Sequence, residues 1–183
     1  MKEHKEKAPS RLLKDLDLYK VPIDLDELCN RLGVNKSSKM KFSPHSGEIS
    51  VNKEGVVDIW INPIDAPNRR RFTLAHEIGH LVHDIIPYIT GDGGADKFID
   101  DEKTLKRDGR QHPEEYRAND YAAKLLMPRA LVIEHAKEVI SEIRNETGKR
   151  KVPVSEFVAR MAKVFKVSEQ AMEIRLSNIG LVE

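Results

Sequence analysis

Residues 69–84 read RRRFTLAHEIGHLVHD, and within them His76, Glu77 and His80 form the pattern H-E-x-x-H. That spacing carries meaning only on a helix. There, residues four apart project from one side about one turn apart, so two imidazoles can converge on one ion. Both rings can then reach it at the roughly 2.0–2.1 Å of zinc–nitrogen bonds. Glu77 would lie beside the ion without binding it, placed to take a proton from water that the ion acidifies. With seven histidines in the chain, a shuffled sequence would produce the pattern only roughly 2 % of the time. A helix bearing two ligands still needs a third from elsewhere, and this requirement constrains the fold more than any other feature.

The stretch EEYRANDYAA supplies the best candidate, Glu115, with Glu114 as the fallback. Glu115, Asn119 and Ala122 recur at i, i+4 and i+7, on one helical face. A carboxylate ligand with an amide one turn later is a sensible pair, because Asn119 can hydrogen-bond a ligating imidazole. The small residues Ala118, Ala122 and Ala123 predict close packing of this helix against the first. His83, three residues after His80, could also lie near the metal, although such a residue is more commonly a surface or supporting group. Tyr88, His112 and Tyr116 are candidate donors to the oxyanion of a tetrahedral intermediate, and nothing in the sequence chooses among them.

Around this pair the hydrophobic pattern predicts an α+β fold. SRLLKDLDL reads as a short helix, and DLDELCNRLG as a better one. In the latter Asp24 and Glu27 have capping-box spacing, Gly33 is the stop, and Leu25, Leu28 and Leu32 share one face. GEISVNKEGVVDIWIN changes to period two and predicts a hairpin, with Val57, Ile59 and Ile61 on one face and Asp58 and Trp60 on the other. The run VVDIWIN is expected to be an edge along which an extended peptide could add as a further strand. Helical periodicity then extends to about Asp84, with Asp65 as expected N-cap and Pro67 in the first turn. Residues 86–113 have little periodicity, a TGDGGAD core and mixed charge, and are expected to form a flap beside the cleft or a plain surface loop. Three further helices follow: one ended by Gly148, and two expected to be capped by Ser155 and Ser168.

The 183 residues are 39 % hydrophobic and 33 % charged, which predicts a single domain over 1–183. Residues 1–9 read as a disordered tail, 10–128 as the catalytic core and 129–183 as a C-terminal helical subdomain. Basic and acidic residues number 31 and 30, so no global field attracts nucleic acid or an anionic membrane. The triplet Arg69–Arg71 fits a solvated helix start or an ion-pair donor better than a nucleic-acid patch. The last two helices resemble a helix-turn-helix in layout, but SEQAMEIRLSN carries two Glu and one Arg, a poor surface for phosphate. Cys29 is the only cysteine, so no internal disulfide can form. The N-terminus lacks an apolar signal-peptide core, and no run is long enough to span a membrane. A cytoplasmic protein is expected.

Taken together, RFTLAHEIGHLVHD and EEYRANDYAAKLLMP resemble the ImmA/IrrE family of metallopeptidases. The likeness extends to VPIDLDELCNRLGV, to VDIWINPIDAPNRRRFTLAHE and to FKVSEQAMEIRLSNIGL, covering about residues 10–183. It implies a zincin-like fold, an active-site helix under a small sheet with a C-terminal helical pair. It also implies His76, His80 and Glu115 as zinc ligands and Glu77 as catalytic base. One ion per chain is expected, zinc or another divalent metal such as Mn²⁺. Many members act on a helix-turn-helix repressor, often encoded nearby, in stress responses or transcription regulation. The chain departs from the family in having Asp84 where members often carry His, and in a long insertion before Glu115. The expected function is zinc-dependent cleavage of such a repressor. The rival is a non-proteolytic, toxin-like module that sequesters a repressor and uses zinc structurally.

Overall fold

The computed structural model describes residues 8–89 and 113–182. Two short helices open the chain, α1 (Pro9–Asp15) and α2 (Leu25–Leu32). Pro9, expected in the tail, is the first buried residue of α1. The expected caps of α2 are present. The Asp24 side chain accepts from the Glu27 N–H at 2.9 Å, and Gly33 closes the helix at φ 68°. That left-handed conformation costs glycine nothing. Leu25, Leu28 and Leu32 are all buried.

Three strands follow: β1 (Val34–Ser37), β2 (Gly47–Val51) and β3 (Val57–Ile61). β2 and β3 form the expected hairpin, in register Ile49↔Ile59. Its turn is held by the Asn52 side chain, which accepts from the N–H groups of Glu54 and Val56. The edge expectation for VVDIWIN does not hold. β3 is the central strand, because β1 pairs with its other side in parallel, Val34↔Val57. β1 reads VNKS, too short and polar to announce itself, and its presence moves the open edges to β1 and β2. Trp60 points away from the core face yet is buried. Its Nε1 donates to the Lys39 carbonyl at 2.8 Å, and the Lys41 ammonium stands 4.2 Å from the ring centre.

Helix α3 (Pro67–His80) packs against β2 and β3 on one side and α5 (Pro113–Leu126) on the other. Every residue from Thr73 to His80 is buried. Its cap is Ala66 and not Asp65. Pro67, with fixed φ and no N–H to lose, takes the first helical position and leaves Asp65 one residue too early. Asp65 instead pairs with Arg69 at 3.4 Å. The helical path continues past His80 through a π turn (Leu81–Ile85) into α4 (Ile86–Ile89). The rest of the expected flap, residues 90–112, lies outside the described residues.

Two glycines permit close approaches to α3. A Cβ on Gly79 would come 2.9 Å from the Ala118 Cα of α5, and one on Gly47 would come 2.8 Å from Glu77 Oε1. The predicted small face of α5 is thus the face that meets α3, with Ala118 and Ala122 buried.

The chain ends in α6 (Arg129–Thr147), α7 (Val154–Phe165) and α8 (Glu169–Asn178). Gly148 ends α6 and Ser168 caps α8, as expected. Ser155 is not a cap, because α7 starts one residue earlier behind Pro153. The stripe Phe157, Met161 and Phe165 buries α7 in the same apolar cluster that begins at Leu12. Asn68 Nδ2 donates to the Val167 carbonyl and Arg175 Nε to the Met127 carbonyl, both at 2.9 Å. Among the described residues no helix is long and apolar enough to cross a membrane.

Candidate metal centre

His76 and His80 leave the same side of α3, and their Nε2 atoms lie 3.0 Å apart. Glu115, in the first turn of α5, closes the set from across the helix interface. Its two oxygens stand 3.4 Å from His76 Nε2 and 3.2 Å from His80 Nε2. The histidines are 4 % and 2 % exposed, while the Glu115 side chain is 27 % exposed. Glu77, 3 % exposed, lies on the adjoining side of α3 with its carboxylate against Gly47.

The other ring nitrogens set the protonation pattern. His76 Nδ1 donates to Asn119 Oδ1 at 2.8 Å, and His80 Nδ1 to Asp84 Oδ2 at 2.8 Å. With both Nδ1 protons turned outward, both Nε2 lone pairs face inward toward each other and toward a carboxylate. Lone pairs gathered in this way repel unless a cation lies among them. Tetrahedral arms of about 2.0–2.1 Å imply ligand–ligand edges of about 3.3–3.4 Å, close to the separations seen. His76, His80 and Glu115 therefore fit a metal ion, and among the described residues they are the one cluster of this kind. Burial disfavours a charged His80. The Asp84 hydrogen bond and the charges of Glu77, Glu115 and Asp84 outweigh it and hold the imidazole above its usual pKa.

Asn119 stands where its spacing placed it. Asp84 was legible only as a departure from the family pattern, yet it orients His80 and receives Arg117 of α5 at 3.3 Å. The available signal was its position, four residues after His80 on a continuing helical path. His83 does not join the cluster; its ring packs edge-on against Tyr121 at 5.2 Å. Glu114 instead approaches Arg117 at 3.9 Å. Tyr116 is 76 % exposed, while the side chain of Tyr88 and the whole of His112 lie outside the described residues. Two of the three arginines are used internally, Arg69 on Asp65 and Ser46 and Arg71 on the Ile23 carbonyl. Cys29 is buried and its thiol is pushed up to about 11, mainly by burial, so it is no nucleophile near neutral pH.

If Asp84 fixes the ring and tautomer of His80, Asp84→Asn should weaken metal binding about 10- to 100-fold. Competition with a chromophoric chelator measures this directly. Unchanged affinity would mean that the contact does not tune the ligand.

A buried histidine pair on a helix beneath a small mixed sheet, joined by a carboxylate from the next long helix, defines a zincin-like α+β protein. The family profile described as Peptidase_M78, IrrE N-terminal-like domain, matches residues 29–177, and the chain belongs to that peptidase family. No curated protein matches the chain.

Proposed function

We propose that the chain is a zinc-dependent endopeptidase whose substrate is a regulatory protein, of the helix-turn-helix repressor class and encoded nearby. The observation that carries this reading is the placement of Glu77. A carboxylate buried beside three converging metal donors, and outside the donor set, is of no use to a purely structural ion.

When bound, the ion would supply Lewis-acid polarisation of a scissile carbonyl and acidification of water. His76, His80 and Glu115 would hold it, while Asn119 and Asp84 keep the two rings turned. Glu77 receives the proton of the attacking water and returns it to the leaving amine. The strand available to an extended substrate is β2, an edge of the described sheet whose first residue, Gly47, lies against Glu77. A peptide adding there by main-chain hydrogen bonds would bring its backbone to the centre.

The test uses the purified chain and the helix-turn-helix protein encoded beside it. Discrete cleavage should accompany about one equivalent of zinc per chain, stop on chelation and return on adding zinc. A partner left intact by the fully metal-loaded chain would sink the substrate assignment.

A further inference from the structure

A cleft of about 420 Å³ opens where the segment entering α2, the first turns of α3 and Lys166 of the α7–α8 junction meet. Four cations line it, Lys36, Arg70, Arg71 and Lys166, against two carboxylates, Asp24 and Asp26. Both carboxylates already have work. Asp24 caps α2 through the Glu27 N–H, and Asp26 pairs with Lys36.

The remaining cations are poorly matched. Arg71 donates one terminal nitrogen to the Ile23 carbonyl, while its Nε is buried with no hydrogen-bond partner. Burial pulls the Arg71 guanidinium below its usual pKa, and the charges of Asp24 and Asp26 offset only part of that. Among the described residues the Arg70 and Lys166 side chains have neither a hydrogen bond nor an ion pair. The junction is nonetheless held in place, because Asn68 of α3 donates to the carbonyl of Val167, next to Lys166. Three cations from two clamped elements thus share one recess. Like charges held together in one recess repel, and a bound anion relieves that repulsion.

We propose that this cleft binds a small phosphorylated metabolite, its phosphate held by Arg70, Arg71 and Lys166 and its body resting on Pro22, Ile61 and Leu74. Guanidinium forks match phosphate oxygens two at a time, and a dianion uses three cations better than a single carboxylate does. The volume suits one small ligand. Asp24 and Asp26 at the same wall repel an extended polyanion, which argues against nucleic acid. Occupancy would bridge α3, the helix of His76 and His80, to the C-terminal helices. The inference stands apart from the peptidase reading.

The test is calorimetric titration of the metal-loaded full chain with adenosine monophosphate and with glucose 6-phosphate, using inorganic phosphate as competitor. At least one probe should bind saturably at one site and be displaced by inorganic phosphate. Binding should weaken roughly tenfold or more in the double variant Arg70→Gln/Lys166→Gln, whose metal content should equal that of the wild type. Binding should persist in His80→Ala, which separates the cleft from phosphate ligating the metal. The proposal is overturned if neither probe binds, if the double variant binds as the wild type does, or if His80→Ala abolishes binding. Saturable binding of a short acidic peptide in place of both probes would overturn it too.

Discussion

Glu77→Gln is expected to keep its metal and its fold while losing cleavage by about 10²-fold or more, the usual contribution of a general base. The substitution preserves side-chain volume, which matters because Glu77 is 3 % exposed and a larger or smaller group would disturb the packing. It leaves His76, His80 and Glu115 untouched, so metal content should match the wild type. What it removes is the capacity to accept a proton beside the ion. Single-turnover cleavage and metal analysis on the same preparation separate the two effects. Full biological activity in the variant would favour the sequestering module over the enzyme.

The second large effect is expected at Gly79. On propensity alone, Gly79→Ala in a helix interior should stabilise by about 0.5–1 kcal/mol. The neighbourhood reverses the sign. The new Cβ would stand 2.9 Å from the Cα and 3.0 Å from the carbonyl oxygen of Ala118, backbone atoms that cannot rotate away. The helices must part, at a cost typical of overpacking, about 1–3 kcal/mol. Ala118 is three residues after Glu115 on α5, so parting the helices also draws the carboxylate from the histidine pair. Thermal melting should fall by several degrees and metal affinity should drop with it. A variant that melts higher and holds metal as before would show that the contact yields more easily than its geometry implies.

The parts of the site that share one helix were the most legible in the sequence. His76, Glu77 and His80 follow from spacing alone, and Asn119 and Ala122 follow from Glu115 once a ligand is sought on a second helix. Asp84 was noticed only as a departure from the family pattern and given no role, because its i+4 spacing from His80 matters only if the helical path continues through Leu81–Ile85, as it does. The hairpin and the stops at Gly33 and Gly148 were legible because they rest on local chemistry. β1 was not, since VNKS has no apolar alternation and is a strand only by pairing with β3. That one missed partner turned an expected edge into the centre of the sheet. The caps at Asp65 and Ser155 failed for a related reason: a nearby proline set each helix start, one residue later than expected at Pro67 and two residues earlier at Val154.

The bond from Arg175 to the Met127 carbonyl reaches from α8 to the corner between α5 and α6. Asn68 makes a second tie, from the start of the histidine-bearing helix to Val167. Severing the chain at Pro128 would break both and strip the cover from Leu125 and Leu126, which are fully buried. The last two helices resemble a detachable DNA reader only in outline. For recombination, the smallest exchangeable unit that keeps the histidine pair in place includes them.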